Sequence, residues 1–345
     1  SDITIMDKKV QRNFLWIALL ALGTIWILAR HNHMVPYQTT SGLIFGTIYN
    51  ITYQYDGNLK DEIETELKRF DGSLSPFNDT ATITRINRNE NIVADTFFIN
   101  VFRRSMEISK ETNGAFDITV APLANAWGFG FKKGRFPDSI MIDSLLDITG
   151  YAKVVLTEEG KVMKQDPRIM LSCSAVAKGY AVDIIAQLLQ EKGIHNFMVD
   201  IGGEVVVHGK NPKNNLWRIG INKPIDDSLA INQELQTVLE VTNVGIATSG
   251  NYRNYYYKDG KKYAHTIDPR TGYPVQHNIL SATVIAEDCM TADALATSFM
   301  VMGLEEAEAF CKAHPKIDAY FIYSGEKGKF ETYYTEGMKQ YITEA

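Results

Sequence analysis

Apolar residues recur along this chain with two periods, one typical of helices and one typical of strands. In four segments they return every three or four positions, which predicts amphipathic helices with one face packed on a core. These segments are Asp61–Leu74, Phe97–Thr112, Ala177–Lys192 and Thr291–Gly303. In the first of them, Ile63, Leu67, Phe70 and Leu74 stand at helical spacing.

Segments rich in β-branched and aromatic residues lie between these helices and predict strands. The turn sequence KDGKK, Lys258–Lys262, separates two further strands. The predicted strands and helices are segregated and irregularly ordered, which favours an α+β domain over a regular βαβ winding. The predicted strands are Leu43–Tyr53, Phe197–His208, Trp217–Asn222, Leu235–Thr242, Ser281–Ala286 and Ala319–Tyr323.

The N-terminal part of the chain has a different pattern. An apolar run without a polar face, residues 14–29, comes directly after a basic segment, residues 1–13, that contains Lys8, Lys9 and Arg12. Such a run beside cations is typical of a transmembrane anchor or a signal segment, with the cations in the cytoplasm. Both interpretations remain open, and the absence of a clear small-x-small cleavage site favours an uncleaved anchor.

The rest of the chain has the composition of a folded protein. The polar residues 30–41 are predicted to tether the apolar run to one domain, residues 42–345. The chain is 45% apolar and 22% charged, which suffices for a substantial core. Its net charge of −6, with no basic stripe, argues against nucleic acid as a partner. Cys173, Cys289 and Cys311 match no zinc or disulfide pattern and are predicted to be buried thiols.

The sequence SAVAKGYAVD, Ser174–Asp183, places small residues, Lys178 and Gly179 where a helix is predicted to begin. Small residues allow the backbone to approach a phosphate, and a helix N-terminus attracts anions. The GxxxxGK spacing of a Walker loop is absent. The segment therefore predicts either an anion site or a closely packed helix with an exposed lysine.

Asp293 and Thr297 are four residues apart in the predicted helix Thr291–Gly303 and so lie on one face. A carboxylate with a hydroxyl suits Mg²⁺, which completes its coordination with water and phosphate oxygens. The alternative is structural, because a carboxylate favours the helix dipole and a threonine can bond to its own helix.

Four further segments combine glycine turns with polar or aromatic side chains, and each alone is compatible with ordinary turns and core packing. Val199–Val205 lacks the GxGxxG of a Rossmann unit, which argues against a nicotinamide enzyme. The segments are GAFDITVAPLANAWGFG (Gly114–Gly130), VDIGGEV (Val199–Val205), TSGNYRNYYY (Thr248–Tyr257) and HTIDPRTGYP (His265–Pro274).

Together and in this order, these motifs resemble the motif set of the ApbE family of FAD:protein FMN transferases. The resemblance extends from about Gly42 to Gly303. It implies a single α+β domain with a T-fold-like core, FAD as the donor, Mg²⁺, and a periplasmic or cell-surface domain at the bacterial inner membrane. It also implies transfer of FMN to a threonine or serine hydroxyl of an acceptor protein, such as an electron-transport subunit, with release of AMP.

The resemblance further implies particular functional residues. The metal ligands are the Ala175 carbonyl and the side chains of Asp293 and Thr297. His265 falls where the family has a proposed base, and Asp268 is predicted to orient it. FAD contacts are expected at Phe45, Phe77, Ala115, Phe116, Asp117, Ser172, Lys178 and Ile267.

Two positions depart from the family pattern, and two other functions fit the same motifs. Phe77 stands where tyrosine is frequent, and Ser172 stands where aspartate is frequent. With water as the acceptor, the protein would be a metal-dependent FAD pyrophosphatase. Without turnover, it would be a membrane-anchored flavin-binding protein.

Overall fold

The computed structural model describes residues 8–32, 34–133, 135–225, 234–250, 255–258, 261–264 and 266–343. Within these ranges the chain forms nine α-helices and fifteen strands. The helices are α1 (Lys8–Asn32), α2 (Lys60–Leu74), α3 (Thr82–Asn87), α4 (Thr96–Glu111), α5 (Ala121–Lys133), α6 (Ser139–Leu146), α7 (Ala177–Glu191), α8 (Cys289–Met302) and α9 (Leu304–Ala313). The strands are β1 (Tyr37–Ile44), β2 (Thr47–Gln54), β3 (Val154–Leu156), β4 (Val162–Lys164), β5 (Phe197–Ile201), β6 (Glu204–His208), β7 (Trp217–Asn222), β8 (Leu235–Val241), β9 (Val244–Gly250), β10 (Tyr255–Lys258), β11 (Lys261–Ala264), β12 (Ile279–Ala286), β13 (Asp318–Ser324), β14 (Phe330–Tyr334) and β15 (Ile342–Thr343).

An antiparallel sheet of eight strands, in the order β1-β2-β5-β6-β9-β12-β13-β14, forms the centre of the domain. Successive side chains on a strand point to opposite faces, and β6 shows both. Val206 packs toward the core that contains α7 and α8, whereas Val205 and Val207 pack toward β7, β8 and β15. Helices therefore cover one face and a small sheet covers the other, which confirms the α+β class.

The four predicted helices are confirmed as α2, α4, α7 and α8, with ends within two residues of the prediction. Helix α8 is buried on almost all sides because α4, α7 and the strands β9 and β12 surround it. Alanines at 292, 294 and 296 are fully buried and allow these neighbours to approach closely. The segment that carries Asp293 and Thr297 is therefore a rigid central element.

The predicted strand Leu43–Tyr53 is a hairpin of β1 and β2. Phe45 and Gly46 form its two-residue turn, with φ of +52° and +72°. Positive φ at both positions is typical of the tight turns that match strand twist. The apolar pattern continues through Phe45 and conceals the turn. Strand β1 begins at Tyr37 and extends into residues 30–41, so the segment between helix and domain is shorter than predicted.

The predicted strand Phe197–His208 is likewise a hairpin, of β5 and β6. Gly202 and Gly203 form the turn with φ of +63° and +99°. The pattern also missed strand β9, Val244–Gly250, because its sequence VGIATSG contains mostly small residues. This strand lies in the middle of the sheet, between β6 and β12.

Helix α1 contains the predicted apolar run. Residues 10–28 have a mean hydropathy of 1.4 and are long and apolar enough to cross a membrane. None of this stretch is buried against the rest of the described protein. A membrane anchor and a signal segment share these properties.

All three cysteines are free and buried, as predicted. Burial raises the pKa of Cys173 and of Cys311 to about 12. The thiols are therefore protonated at neutral pH and act as small apolar core residues.

Candidate functional site

Helices α7 and α8 meet at Gly179 with almost no space between them. A Cβ atom added at Gly179 would lie 2.4 Å from the Cys289 carbonyl oxygen and 2.7 Å from Asp293 Cβ. Only glycine permits this approach without displacement of a helix. The first turn of α7 and the Asp293 side chain are thereby brought into direct contact.

The Gly179 amide donates to Asp293 Oδ2 at 2.9 Å. In a regular helix this amide would donate to the Ala175 carbonyl, four residues earlier. Within the described part of the chain, the Ala175 carbonyl accepts no hydrogen bond. The contact between the helices therefore leaves this carbonyl available for another partner.

Thr297 lies one turn beyond Asp293 on α8, on the same face. Its Oγ1 is 3.4 Å from the Ser249 hydroxyl at the end of β9. The TSG motif marks this segment in the sequence, but its pattern assigns no role to Ser249. The three predicted metal ligands thus come from the α7 start and one face of α8.

Lys178 points toward the sheet, where its Nζ lies 2.7 Å from the Glu204 carboxylate at the start of β6. Burial lowers the pKa of Lys178, but the negative charges of Glu204 and Asp293 together raise it by more than burial lowers it. The net shift of the pKa is upward, so the lysine is charged. Burial raises the pKa of Asp293, and the negative charge of Glu204 raises it further. The site therefore holds two buried carboxylates and one lysine, an environment that favours a further cation.

A cavity of ≈ 490 Å³ lies beside the start of α7. Its wall is aromatic on one side, where the Phe45 and Phe70 ring centroids are 5.6 Å apart. Phe77 lines the cavity and is 95% exposed, so the described residues cover little of its ring. The lining residues are Phe45, Gly46, Phe70, Asp71, Leu74, Ser75, Pro76, Phe77, Asn78, Ser174, Ala177 and Lys178.

The predicted contacts at residues 115–117 are buried. Ala115 and Phe116 are at most 2% exposed. Both oxygens of Asp117 accept hydrogen bonds: Oδ1 from the Thr119 amide and hydroxyl at 2.8 and 2.6 Å, and Oδ2 from the Tyr151 amide at 2.8 Å. Burial raises the pKa of Asp117, while these donors lower it. Asp117 therefore organises the loop in this structure.

Ser172 connects this loop to the start of α7. Its amide donates to the Ile118 carbonyl at 2.8 Å. Its hydroxyl lies 3.1 Å from that of Ser174, which lines the cavity. Ser172 therefore contacts Ser174, which lines the cavity, but does not itself line the cavity.

The loop 266–275 lies over residue Gly114, where a Cβ atom would be 3.5 Å from Arg270 Cγ. Ile267 is 7% exposed and bridges Pro274, and Trp127 Nε1 donates to the Gly272 carbonyl at 2.8 Å. Nothing in the sequence pattern indicates that Trp127 fixes this loop.

The Asp268 carboxylate is held by its neighbour Arg270, whose amide and Nε donate to Oδ1 at 2.9 and 3.0 Å. Arg270 also binds Glu306 at 2.8 Å. His265, the predicted base, and Arg253 of the TSGNYR motif lie outside the described residues. Asp268, which is near the predicted base in the sequence, thus belongs to a chain of ion pairs with Arg270 and Glu306.

Comparison with known proteins decides the family. The ApbE family profile matches residues 45–321. The chain belongs to the ApbE family.

Relatives within this family are similar over most of the chain. The FAD:protein FMN transferase of Vibrio cholerae is 37% identical over 339 residues, 94% of this chain and 98% of the relative. That of Haemophilus influenzae is 35% identical over 283 residues, covering 77% of this chain and 81% of the relative.

Solved ApbE structures have the same fold. The flavin transferase ApbE from Vibrio cholerae aligns with a TM-score of 0.78 at 33% identity, over 89% of this chain and 99% of that one. The apo flavinyl transferase ApbE from Pseudomonas stutzeri has a TM-score of 0.78 at 29% identity, over 88% of this chain and 96% of that one.

The ApbE site in this chain contains groups to which the sequence assigns no role. Glu204 comes directly after the Gly-Gly turn of VDIGGEV. The motif contains this residue, but the sequence does not predict that it binds Lys178. Phe70 is predicted only as a core residue, but it also lines the cavity. Among the described residues, no cluster of three or more His, Cys, Asp or Glu side chains could hold a metal.

Proposed function

We propose that this ApbE-family protein transfers FMN from FAD to a threonine or serine hydroxyl of an acceptor protein and releases AMP. The names of its relatives support the reaction. The observation that carries the proposal is the contact of Gly179 with Asp293. It unites the start of α7, Lys178 and the oxygen donors of α8 beside an aromatic cavity, which suits a flavin joined to a pyrophosphate.

The donor set fits Mg²⁺. The Ala175 carbonyl is free of hydrogen bonds from the described residues, and Asp293 and Thr297 add a carboxylate and a hydroxyl on one helix face. Hard oxygen ligands in small number are typical of Mg²⁺ sites that also bind phosphate. When bound, Mg²⁺ supplies positive charge that neutralises the pyrophosphate.

The remaining groups of the chain bind and orient the reactants. Lys178 and the positive end of the α7 dipole attract phosphate oxygens. The acceptor oxygen forms a bond to the FMN-side phosphorus, and the bond from that phosphorus to AMP breaks. We propose that His265 accepts the hydroxyl proton and that Asp268 orients His265, since a carboxylate bound by Arg270 retains acceptor capacity.

The reaction is tested with the full chain in detergent, FAD, Mg²⁺ and a purified protein that carries a candidate acceptor threonine. We expect AMP release together with a fluorescent flavin band on the acceptor in a denaturing gel. A threonine-to-valine acceptor is the control and should remain dark.

The same experiment separates the two alternatives. AMP and FMN without a labelled acceptor would indicate a pyrophosphatase. FAD binding without AMP, under conditions that saturate both FAD and Mg²⁺, would indicate a flavin-binding protein and contradict the proposal.

Phe77 provides a test of the flavin position. Because its exposed ring lines the cavity, we expect Phe77→Ala to weaken FAD binding by about 1 kcal/mol, the value of one aromatic stack. Phe330→Ala removes a partly exposed ring from β14 and serves as the control. Equal FAD affinities for the two variants, measured by flavin fluorescence titration, would place Phe77 outside the site.

We also propose a finer architecture. The pair α7 and α8 on the strands β5, β6, β9 and β12 supports a T-fold-like core. The exposed apolar helix α1 supports an N-terminal anchor in the bacterial inner membrane.

The topology follows from charge. Lys8, Lys9 and Arg12 precede the apolar run, and the positive-inside bias retains them in the cytoplasm. We therefore expect residues 31–345 to face the periplasm or the outside. Protease added to intact spheroplasts should digest this domain while a cytoplasmic marker survives. A domain that resists until the spheroplasts are lysed would refute the topology.

A further inference from the structure

Two helices carry the groups on which the proposed reaction depends. The start of α7 provides Lys178 and the preceding Ala175 carbonyl, whereas α8 provides Asp293 and Thr297. These groups can act on one pyrophosphate only if the two helices keep a fixed relative position. The contacts that set this position are therefore part of the catalytic apparatus.

Two reciprocal carboxylate contacts join the helices. Asp293 on α8 accepts the Gly179 amide of α7 at 2.9 Å. One turn further along α7, Asp183 accepts two amides of α8, from Cys289 and Met290, both at 2.8 Å. Each helix thus binds the backbone of the other through one carboxylate.

Asp183 accepts the first two amides of α8, which the N-cap side chain does not bind. Asp288 already occupies the N-cap, where it accepts the Thr291 amide at 2.7 Å and the Thr291 hydroxyl at 3.0 Å. A second carboxylate beside the same helix end adds like-charge repulsion. Burial and Asp288 raise the pKa of Asp183 to about 7, although the two amides lower it. Because Asp183 belongs to α7, its bonds to the Cys289 and Met290 amides also join α7 to α8.

We propose that Asp183 is a positioning residue that fixes α8 against α7 and thereby holds Asp293 and Thr297 beside Lys178. Its two bonds to successive amides determine both the distance and the rotation of α8. Without these two bonds, the Gly179–Asp293 bond is the one hydrogen bond that joins the two helices among the described residues.

The first test needs neither metal nor FAD. Asp183→Asn can accept only one of the two amides, because its NH₂ group opposes the other. We expect hydrogen exchange of the Gly179 amide in the full chain in detergent to accelerate about tenfold, as for a lost charge-assisted bond. Asp288→Asn is the matched control, since it weakens the cap of the same helix, and among the described residues the Asp288 side chain has no hydrogen bond to α7. Equal acceleration in both variants would show that Asp183 only caps α8 and would overturn the proposal.

The second test rests on the proposed function. The Mg²⁺ concentration for half-maximal AMP release should rise about tenfold in Asp183→Asn and remain near the wild-type value in Asp288→Asn. If the wild-type protein releases no AMP, the proposed function fails, whereas hydrogen exchange still decides the role of Asp183. An unchanged Mg²⁺ dependence in an active Asp183→Asn variant contradicts the proposal.

If Asp183→Asn does not fold, a second substitution at the same position still tests the proposal. Asp183→Glu keeps the charge and reaches the same amides with one more methylene, so it should fold. We expect it to unfold at a urea concentration close to that of the wild-type protein and still to alter the Mg²⁺ dependence, because the longer side chain displaces α8. Wild-type Mg²⁺ dependence in Asp183→Glu would overturn the positioning role.

Discussion

Replacement of Asp293 by alanine is expected to abolish FMN transfer while the domain remains folded. The carboxylate is 5% exposed, and both burial and the neighbouring Glu204 raise its pKa. A raised pKa means that, in the metal-free protein, ionised Asp293 opposes folding as pH rises above the usual carboxylate range. Its removal takes away the ligand, and the lost interactions with the Gly179 amide and Lys178 are outweighed by relief of the burial cost and of the repulsion from Glu204. We expect a decrease of about 10³-fold or more in the rate of AMP release.

Asp293→Asn refines this test, because the amide oxygen can still accept from Gly179 while the charge is lost. Activity should again fall, with a free energy of unfolding equal to or above that of the wild-type protein in urea. Asp318→Asn is a matched control, since it neutralises a buried carboxylate of β13 that binds Thr335 at 2.9 Å. Wild-type activity of Asp293→Ala at ordinary Mg²⁺ concentrations would refute the metal assignment.

Gly179→Ala should produce the second large effect, by separation of α7 from α8. The new methyl group would lie 2.4 Å from the Cys289 carbonyl oxygen, which is backbone and cannot rotate away. Overpacking of this kind costs about 1–3 kcal/mol and displaces the helices. We expect a lower free energy of unfolding and, in the folded fraction, a loss of transfer, because Asp293 moves away from the start of α7.

A second helical glycine provides the control. Among the described residues, no atom outside the neighbouring backbone of α5 lies within 4 Å of the position that a Cβ of Gly128 would take. Gly128→Ala should therefore stabilise the protein by about 0.5–1 kcal/mol through helix propensity. If urea unfolding shows the same gain for Gly179→Ala, the two helices do not pack as closely as the structure indicates.

The helices of the core could be predicted because their periodicity is local. Thr291–Gly303 needed only its apolar spacing to indicate a helix, and Asp293 and Thr297 then had to share a face. Turns were less visible, since Phe45 continues an apolar run through a hairpin turn with φ of +52°. A side chain that lines a cavity has the same sequence signature as one that fills a core.

The family and the main ligand candidates came from six ordered motifs, whose joint occurrence is far more specific than any one of them. The family match over residues 45–321 confirms the family. The roles of individual residues within the motifs were less determined. Asp117 and Asp268 were predicted to serve the ligand and the base, and in the structure their oxygens bind Thr119, Tyr151 and Arg270.

Local period and motif order suffice to predict the α+β class, the core helices, the apolar N-terminal helix and membership in the ApbE family. Which groups meet in the site depends instead on packing between segments that are far apart in the chain. Gly179 and Asp293 are 114 positions apart, and Lys178 and Glu204 are 26 apart. Their contacts arise from the close packing of α7 on α8 and on the sheet, and such proximity between distant segments leaves no periodic signal in the chain.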